Sequence, residues 1–168
     1  MSAIAHSALA LACFLWISPT LPPNIRVDSA LTNIVHAMLI HSPIFRGQCA
    51  RLQRVTRVRI RLTVDLRGIG QRTSSRAESE MKRYQYGFVD ATVRLRSIPQ
   101  AEELIAHELE HVLEYIDGVN LRAAWRRDPR EVWLGADGRF ETARAIDTGR
   151  RVAAELTRSR SARLTEPR

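Results

Sequence analysis

The segment 102–120, EELIAHELEHVLEYIDGVN, has the periodicity of an amphipathic helix and contains the pattern HExxH. Apolar residues recur every three or four positions along it and form one stripe: Ile105, Leu109, Val112, Leu113 and Ile116. Before it, Ser97 followed by Gln100 fits a capping box, and after it Gly118 suits a helix stop. These signals predict a helix over residues 98–117 that packs against the protein on its apolar side.

The other side of this predicted helix carries chemistry. His107 and His111 are four residues apart, about one helical turn, so both imidazoles can reach one Zn²⁺ ion. Glu108 follows the first histidine and can lie beside a water bound to that ion. The spacing therefore predicts two zinc ligands and a neighbouring general base.

In the five residues from His107 to His111 the chain resembles the zincin metallopeptidases, and most closely the gluzincins, whose third zinc ligand is a glutamate further along the chain. The resemblance implies zinc held by His107 and His111, with Glu108 as the general base that hydrolyses a peptide or protein substrate. In zincins an extended substrate often binds along the edge of a strand. Residues 89–96, just before the helix, are the expected strand.

The third ligand must be a carboxylate if it lies downstream, because no histidine or cysteine follows His111. Glu141 is favoured because it begins the helical segment 139–156, a rigid element able to pack against the HExxH helix. Glu131 is the alternative, at a thermolysin-like distance from His111. Neither glutamate is followed four residues later by an aspartate, so the carboxylate that usually supports gluzincin ligands is missing.

Two further side chains are candidates for supporting the reaction. Tyr115 lies one turn beyond His111, and Arg144 lies about one turn beyond Glu141. Each can orient a ligand or stabilise an oxyanion, and each equally suits an ordinary contact on a helix surface.

Elsewhere, the pattern indicates strands and helices around one core. Residues 57–66 and 89–96 alternate between apolar and other residues, as half-buried strands do, and the polar stretch 68–82 between them predicts a loop or wide hairpin connection. One helix carrying Leu31 to Leu39 and a second, capped by Ser42, precede the strands. We therefore predict an α+β fold: a small antiparallel sheet of two to three strands packed with helices, including the HExxH helix and a C-terminal helix, as in a minimal zincin-like domain.

The chain divides into three predicted regions. Residues 1–23 are free of charge, with an apolar run and a Pro-rich link, and predict a signal peptide or an N-terminal anchor. Residues 24–157 form the single catalytic domain, and residues 158–168 form a basic, disordered tail. Export to the periplasm or the extracellular space follows, with any membrane contact made through residues 1–23.

The net charge of +8 favours acidic partners in general. Arg57, Arg59 and Arg61 line one strand face, but no aromatic side chain for base stacking accompanies them, so no specific nucleic-acid partner is predicted. Two alternatives to a peptidase stay open: a zincin-like protein that binds zinc without turnover, and a basic interaction module in which HExxH is accidental. Metal content and hydrolysis of a peptide library distinguish the three.

Overall fold

A computed structural model describes residues 20–65 and 76–165. In chain order its elements are β1 (Ile25–Val27), α1 (Thr32–His41), α2 (Pro43–Gln53), β2 (Val58–Val64), β3 (Ala77–Arg83), β4 (Val89–Leu95), α3 (Ala101–Ile116), α4 (Leu121–Arg127), β5 (Val132–Leu134), β6 (Phe140–Thr142) and α5 (Ala143–Thr165). Short 3₁₀ turns lie at Ser29–Leu31 and Gln85–Gly87. The predicted α+β class is confirmed, with a C-terminal helix.

The main sheet has four strands in the order β1-β2-β4-β3, and it is mixed, so the prediction of an antiparallel sheet is wrong. β2 runs parallel to both β1 and β4, while β3 and β4 are antiparallel. The reason lies in the connections. Helices α1 and α2 cross over between β1 and β2, and β4 inserts between β2 and the intervening strand β3.

Strand β3 occupies residues where the polar composition predicted a loop, so that prediction is wrong from Ala77 to Lys82. Its sequence, AESEMKR, lacks the apolar alternation that marks a half-buried strand, because β3 lies at the end of the sheet and is largely half-exposed. The rest of the predicted loop, together with Leu66 of the first predicted strand, lies outside the described residues.

Helices α1 and α2 agree with the prediction, but strand β1, which precedes them in the chain, was not predicted. Ser42 caps α2 by accepting a hydrogen bond from the backbone N–H of Phe45 at 3.0 Å. Phe45, Cys49 and Leu52 are buried on one face of α2. They join a single apolar cluster that also contains the inward residues of β2 and β4 and the stripe of α3.

Helix α3 lies over β3 and β4 and packs against α5 along its length. It starts at Ala101, three residues later than predicted, and the predicted capping box is wrong because Gln100 at the N-cap adopts φ 64° and makes no side-chain cap. Its end agrees with the prediction, since Gly118 has φ 74°, the left-handed conformation that glycine adopts readily.

Beyond α3 the chain forms α4 and a two-stranded hairpin of β5 and β6, and β6 occupies early residues of the segment 139–156 that was predicted to be helical. Helix α5 continues to Thr165, so the predicted disordered tail is wrong over residues 158–165, where Arg160 pairs with Glu102 of α3. Residues 166–168 lie outside the described part of the chain. Residues 1–19, which make up most of the predicted signal peptide, lie outside it as well. Among the described helices, none combines the length and the apolar character that a membrane span requires.

Candidate metal centre

Three possible zinc ligands meet above α3. The Nε2 atoms of His107 and His111 lie 3.2 Å apart. Glu141 Oε2 is 3.2 Å from the first of these nitrogens and 3.7 Å from the second. A tetrahedral zinc site with bonds of about 2.0–2.1 Å separates neighbouring ligand atoms by about 3.3 Å. The three atoms therefore fit one face of a zinc tetrahedron, with two nitrogens and one carboxylate oxygen as donors.

The third donor comes from an element that was not predicted. Glu141 lies on strand β6, in register with Trp133 of β5, whereas the sequence placed it at the start of a helix. The hairpin holds Glu141 over the histidines, and α5 begins only two residues later. The alternative ligand, Glu131, is exposed ahead of β5 and does not join the group.

Glu114 supports the histidine ligand from the buried side, a role that the sequence analysis missed. His111 Nδ1 lies 2.9 Å from Glu114 Oε2, and the Thr142 hydroxyl donates to Glu114 Oε1 at 2.8 Å. A carboxylate on Nδ1 leaves Nε2 to face the metal and fixes the orientation of the ring. The available signal was the spacing, since Glu114 is three residues after His111 on the same helix.

The electrostatics of the centre favour positive charge. Burial alone would lower the pKa of His111, but its hydrogen bonds to Glu114 and Glu141 raise that pKa well above the ordinary value. Hydrogen bonds from His107 and His111 hold the pKa of Glu141 far below the usual range of a glutamate. Two carboxylates around one imidazole thus create a negative potential where a Zn²⁺ ion would lie.

Glu108 lies beside this triangle in the floor of a cleft. Its side chain is buried, and burial raises its pKa above the ordinary value, although His107 and a hydrogen bond from the Ser79 hydroxyl act in the opposite direction. Ser79 belongs to β3, so the strand also positions this carboxylate. The group retains contact with the cleft. It can therefore exchange a proton with a molecule bound there.

The cleft runs between β3 and the β5–β6 hairpin, across the metal centre, and its larger part has a volume of about 460 Å³. Tyr115 lines this part, with the guanidinium of Arg83 stacked 5.1 Å from the centre of its ring. Tyr115 thus lies at the cleft one turn beyond His111, and its role there stays a prediction.

Arg144, in contrast, does not reach the centre. Its guanidinium pairs with buried Glu110 at 2.5 Å, on another side of α3, and Gln48 of α2 donates to the same carboxylate at 2.7 Å. The expectation that Arg144 orients ligands or stabilises an oxyanion is therefore wrong. Glu110 thus connects α3 to α5 through Arg144 and to α2 through Gln48.

Gly149 lets α5 approach the metal-binding face of α3. A Cβ atom at this buried position would lie 2.8 Å from the Glu103 backbone oxygen and 3.2 Å from His107 Cβ. No side chain larger than hydrogen fits without moving one helix. The glycine that interrupts the predicted helical pattern is thus a point of direct contact behind a ligand.

The centre therefore combines donor type, spacing, supporting hydrogen bonds and charge that suit zinc. Among the described residues, His107, His111 and Glu141 are the group with metal-binding geometry. No protein-family model, curated protein or solved structure matches this chain.

Proposed function

We propose that this chain is a zinc-dependent metallopeptidase of the gluzincin type, with His107, His111 and Glu141 as ligands and Glu108 as general base. The observation that carries the proposal is the ligand triangle, whose edges of 3.2, 3.2 and 3.7 Å match a zinc site. The HExxH pattern alone requires only the two histidines. It does not require a third donor, yet Glu141 on a strand distant in sequence places a carboxylate oxygen within 3.7 Å of both nitrogens. This additional agreement favours a metal site.

The chemistry divides between the metal and the chain. Bound zinc would supply an acidic water and polarise the carbonyl of the scissile peptide bond. Glu108 would accept a proton from the attacking water and pass it to the leaving amine, and its raised pKa suits a group that must both take and release a proton. Tyr115 can donate a hydrogen bond from its phenolic O–H to the substrate carbonyl oxygen as negative charge develops on that oxygen.

Strand β3 is the candidate docking edge for the substrate backbone. The strand expected from the sequence, now β4, lies between β2 and β3 and has no open edge. At the two ends of β3, Arg76 accepts a backbone hydrogen bond from Arg96, and Tyr84 donates one to Phe88. In an antiparallel ladder every second residue bonds the partner strand, so the even-numbered residues of β3 face β4. The backbone N–H and C=O groups of Ser79 and Met81 therefore point away from β4. Within the described residues no strand covers that side. An extended peptide added there would pass over Glu108.

The test separates metal binding from turnover. The zinc-loaded protein is incubated with a peptide library, and the products are identified by mass spectrometry. Glu108→Gln should keep one zinc per chain and lose hydrolysis, because it removes the base and retains all three ligands. Zinc binding without any product from the unaltered chain would identify a metal protein without turnover. Absence of stoichiometric zinc would make HExxH accidental.

A further inference from the structure

A group of arginines whose side chains have no partner among the described residues lies beside one end of the cleft. Most arginine side chains of the described residues bond a carboxylate, a carbonyl or an amide oxygen, and seven do not. Three of the seven are scattered: Arg26, Arg150 and Arg158. The other four lie within nine residues, on α4 and the turn after it: Arg122, Arg126, Arg127 and Arg130. We name these four the arginine rim. All of them are exposed.

The arginine rim adjoins the cleft through its own helix. Leu121, the first residue of α4, lines the cleft. Trp125, one turn later, packs against Phe140 with ring centres 6.1 Å apart, and Phe140 also lines the cleft. One side of α4 therefore faces the hairpin and the cleft. Arg122 follows Leu121 and Arg126 follows Trp125 in the chain, so both arginines lie on the adjacent, exposed side of α4.

The end of the cleft next to α4 is apolar. Beyond His111, its wall consists largely of Met81, Tyr115, Val119, Leu121 and Phe140. Val119 is 39% exposed, which leaves apolar surface open to a bound side chain. The opposite end, near Glu103 and Arg150, is mainly polar. A peptide that crosses the metal centre would thus meet an apolar subsite on one side only, followed by the arginine rim.

Two acidic residues of the cleft wall, Glu78 and Glu80, are already paired with other basic side chains and do not cancel the charge of the rim. Glu78 is paired with Arg94, Arg96 and Arg139, the closest at 2.9 Å. Glu80 is paired with Lys82 and Arg94. These two carboxylates are therefore neutralised locally, while the rim has no carboxylate partner among the described residues. Asp137 also lines the cleft and has no ion pair among the described residues, and Asp128 and Glu131 lie in or beside the rim segment, so the rim's four arginines exceed these three carboxylates by one charge.

We propose that the substrates are acidic polypeptides, with an apolar side chain bound in the subsite beyond His111 and acidic residues on the same side of the scissile bond paired with Arg122 and Arg126. This inference rests on the proposed peptidase function. The charge contributes mainly to substrate capture, because exposed ion pairs are screened by salt and act over about 8 to 10 Å at moderate ionic strength.

Binding is measured first, with zinc-loaded Glu108→Gln, which does not consume the probe. Four labelled peptides share a central Phe and carry three Glu or three Lys on its amino or its carboxyl side. Fluorescence anisotropy should show one of the two acidic peptides binding about tenfold more tightly than its lysine counterpart, as expected for two exposed ion pairs. The difference should shrink at about 0.5 M NaCl.

Two double variants locate the charge. Arg122→Glu with Arg126→Glu should remove or reverse the acidic preference. Arg26→Glu with Arg158→Glu changes the net charge equally at exposed, unpaired arginines that do not line the cleft, and should retain the preference. In the active protein the rim variant should raise KM for the acidic peptide and leave kcat nearly unchanged. Melting temperatures of both variants establish that they are folded.

Three results would overturn the inference: equal binding of acidic and basic peptides, equal loss of preference in both double variants, or tighter binding of a labelled single-stranded oligonucleotide than of either acidic peptide. Failure of the peptidase proposal gives a different result. In that case the acidic preference persists in the binding assay, while the unaltered, zinc-loaded chain cleaves none of the four peptides.

Discussion

Replacement of Gly149 by alanine tests the packing behind the metal centre. In the interior of an exposed helix this change normally stabilises a protein by about 0.5–1 kcal/mol, because glycine loses more backbone entropy on folding. Gly149 is buried, and the new methyl group would lie 2.8 Å from a backbone oxygen of α3 and 3.2 Å from His107 Cβ. Backbone cannot rotate aside as a flexible side chain can, so α5 and α3 must separate.

The expected sign is therefore reversed. Overpacking costs about 1–3 kcal/mol, and the upper part of that range applies here because the nearest neighbour is backbone, so after the propensity gain of about 0.5–1 kcal/mol a net loss of about 1–2 kcal/mol is left. For a chain of this size, that loss lowers the melting temperature by about 2–8 °C. Since the methyl group presses on a ligand residue, zinc affinity should also fall, by about tenfold. Thermal unfolding of the metal-free protein and a zinc-competition titration measure the two effects separately.

Gly47 provides the matched control. It lies in the interior of α2, is exposed, and has no atom within 4 Å of the position that a Cβ would occupy. Gly47→Ala should raise the melting temperature by a few degrees and leave zinc affinity unchanged. If Gly149→Ala stabilises the protein as much as Gly47→Ala does, α5 does not pack directly on the ligand helix and the reasoning fails.

Three further predictions concern single side chains. Glu114→Gln should weaken zinc binding by about 10- to 100-fold in a competition titration, because an amide supports the His111 ring less well than a carboxylate; unchanged affinity would contradict the role given to Glu114. Hydrogen bonding to Arg59 lowers the pKa of Asp90, so its stabilising effect is present above the ordinary pKa of 3.8 and is lost as pH falls through the lowered value. Asp90→Asn should thus lower the melting temperature at pH 7, with the difference vanishing in strong acid, whereas a constant difference would argue against the ion pair. Burial raises the pKa of Cys49 to about 12, so alkylation at pH 8, read by peptide mass spectrometry, should reach Cys49 only after unfolding, and labelling of the folded chain would contradict its burial.

The ligand set could be predicted further than its supporting groups. Helical periodicity placed His107, Glu108 and His111 on one turn, and elimination of other donors left a downstream glutamate. The physical reason that favours Glu141 in the sequence is wrong, since this residue lies on a hairpin strand and not on a helix. Arg144 was misjudged because sequence spacing gives no information on which side of the next helix carries the buried Glu110.

The fold was predictable where burial produces a periodic pattern of apolar residues. It was not predictable where it depends on which strands pair with each other. Strands β2 and β4 alternate because their inner faces are buried, but their parallel relation depends on which strand inserts between neighbours. Edge strand β3 carries polar residues that favour solvent, so backbone pairing alone defines it. Helix α5 continues through basic residues because adding residues to an existing helix costs little and arginine favours helices.

The most direct test of the metal centre is a zinc-competition titration of Glu141→Ala and Glu131→Ala beside the unaltered chain, after metal analysis has established the stoichiometry. Glu141 Oε2 lies within 3.7 Å of both histidine nitrogens, while Glu131 is exposed outside the group. Glu141→Ala should lose zinc affinity by much more than the roughly 100-fold cost of removing a supporting group, and Glu131→Ala should bind like the unaltered chain. Loss of zinc in Glu131→Ala with retention in Glu141→Ala would contradict the site.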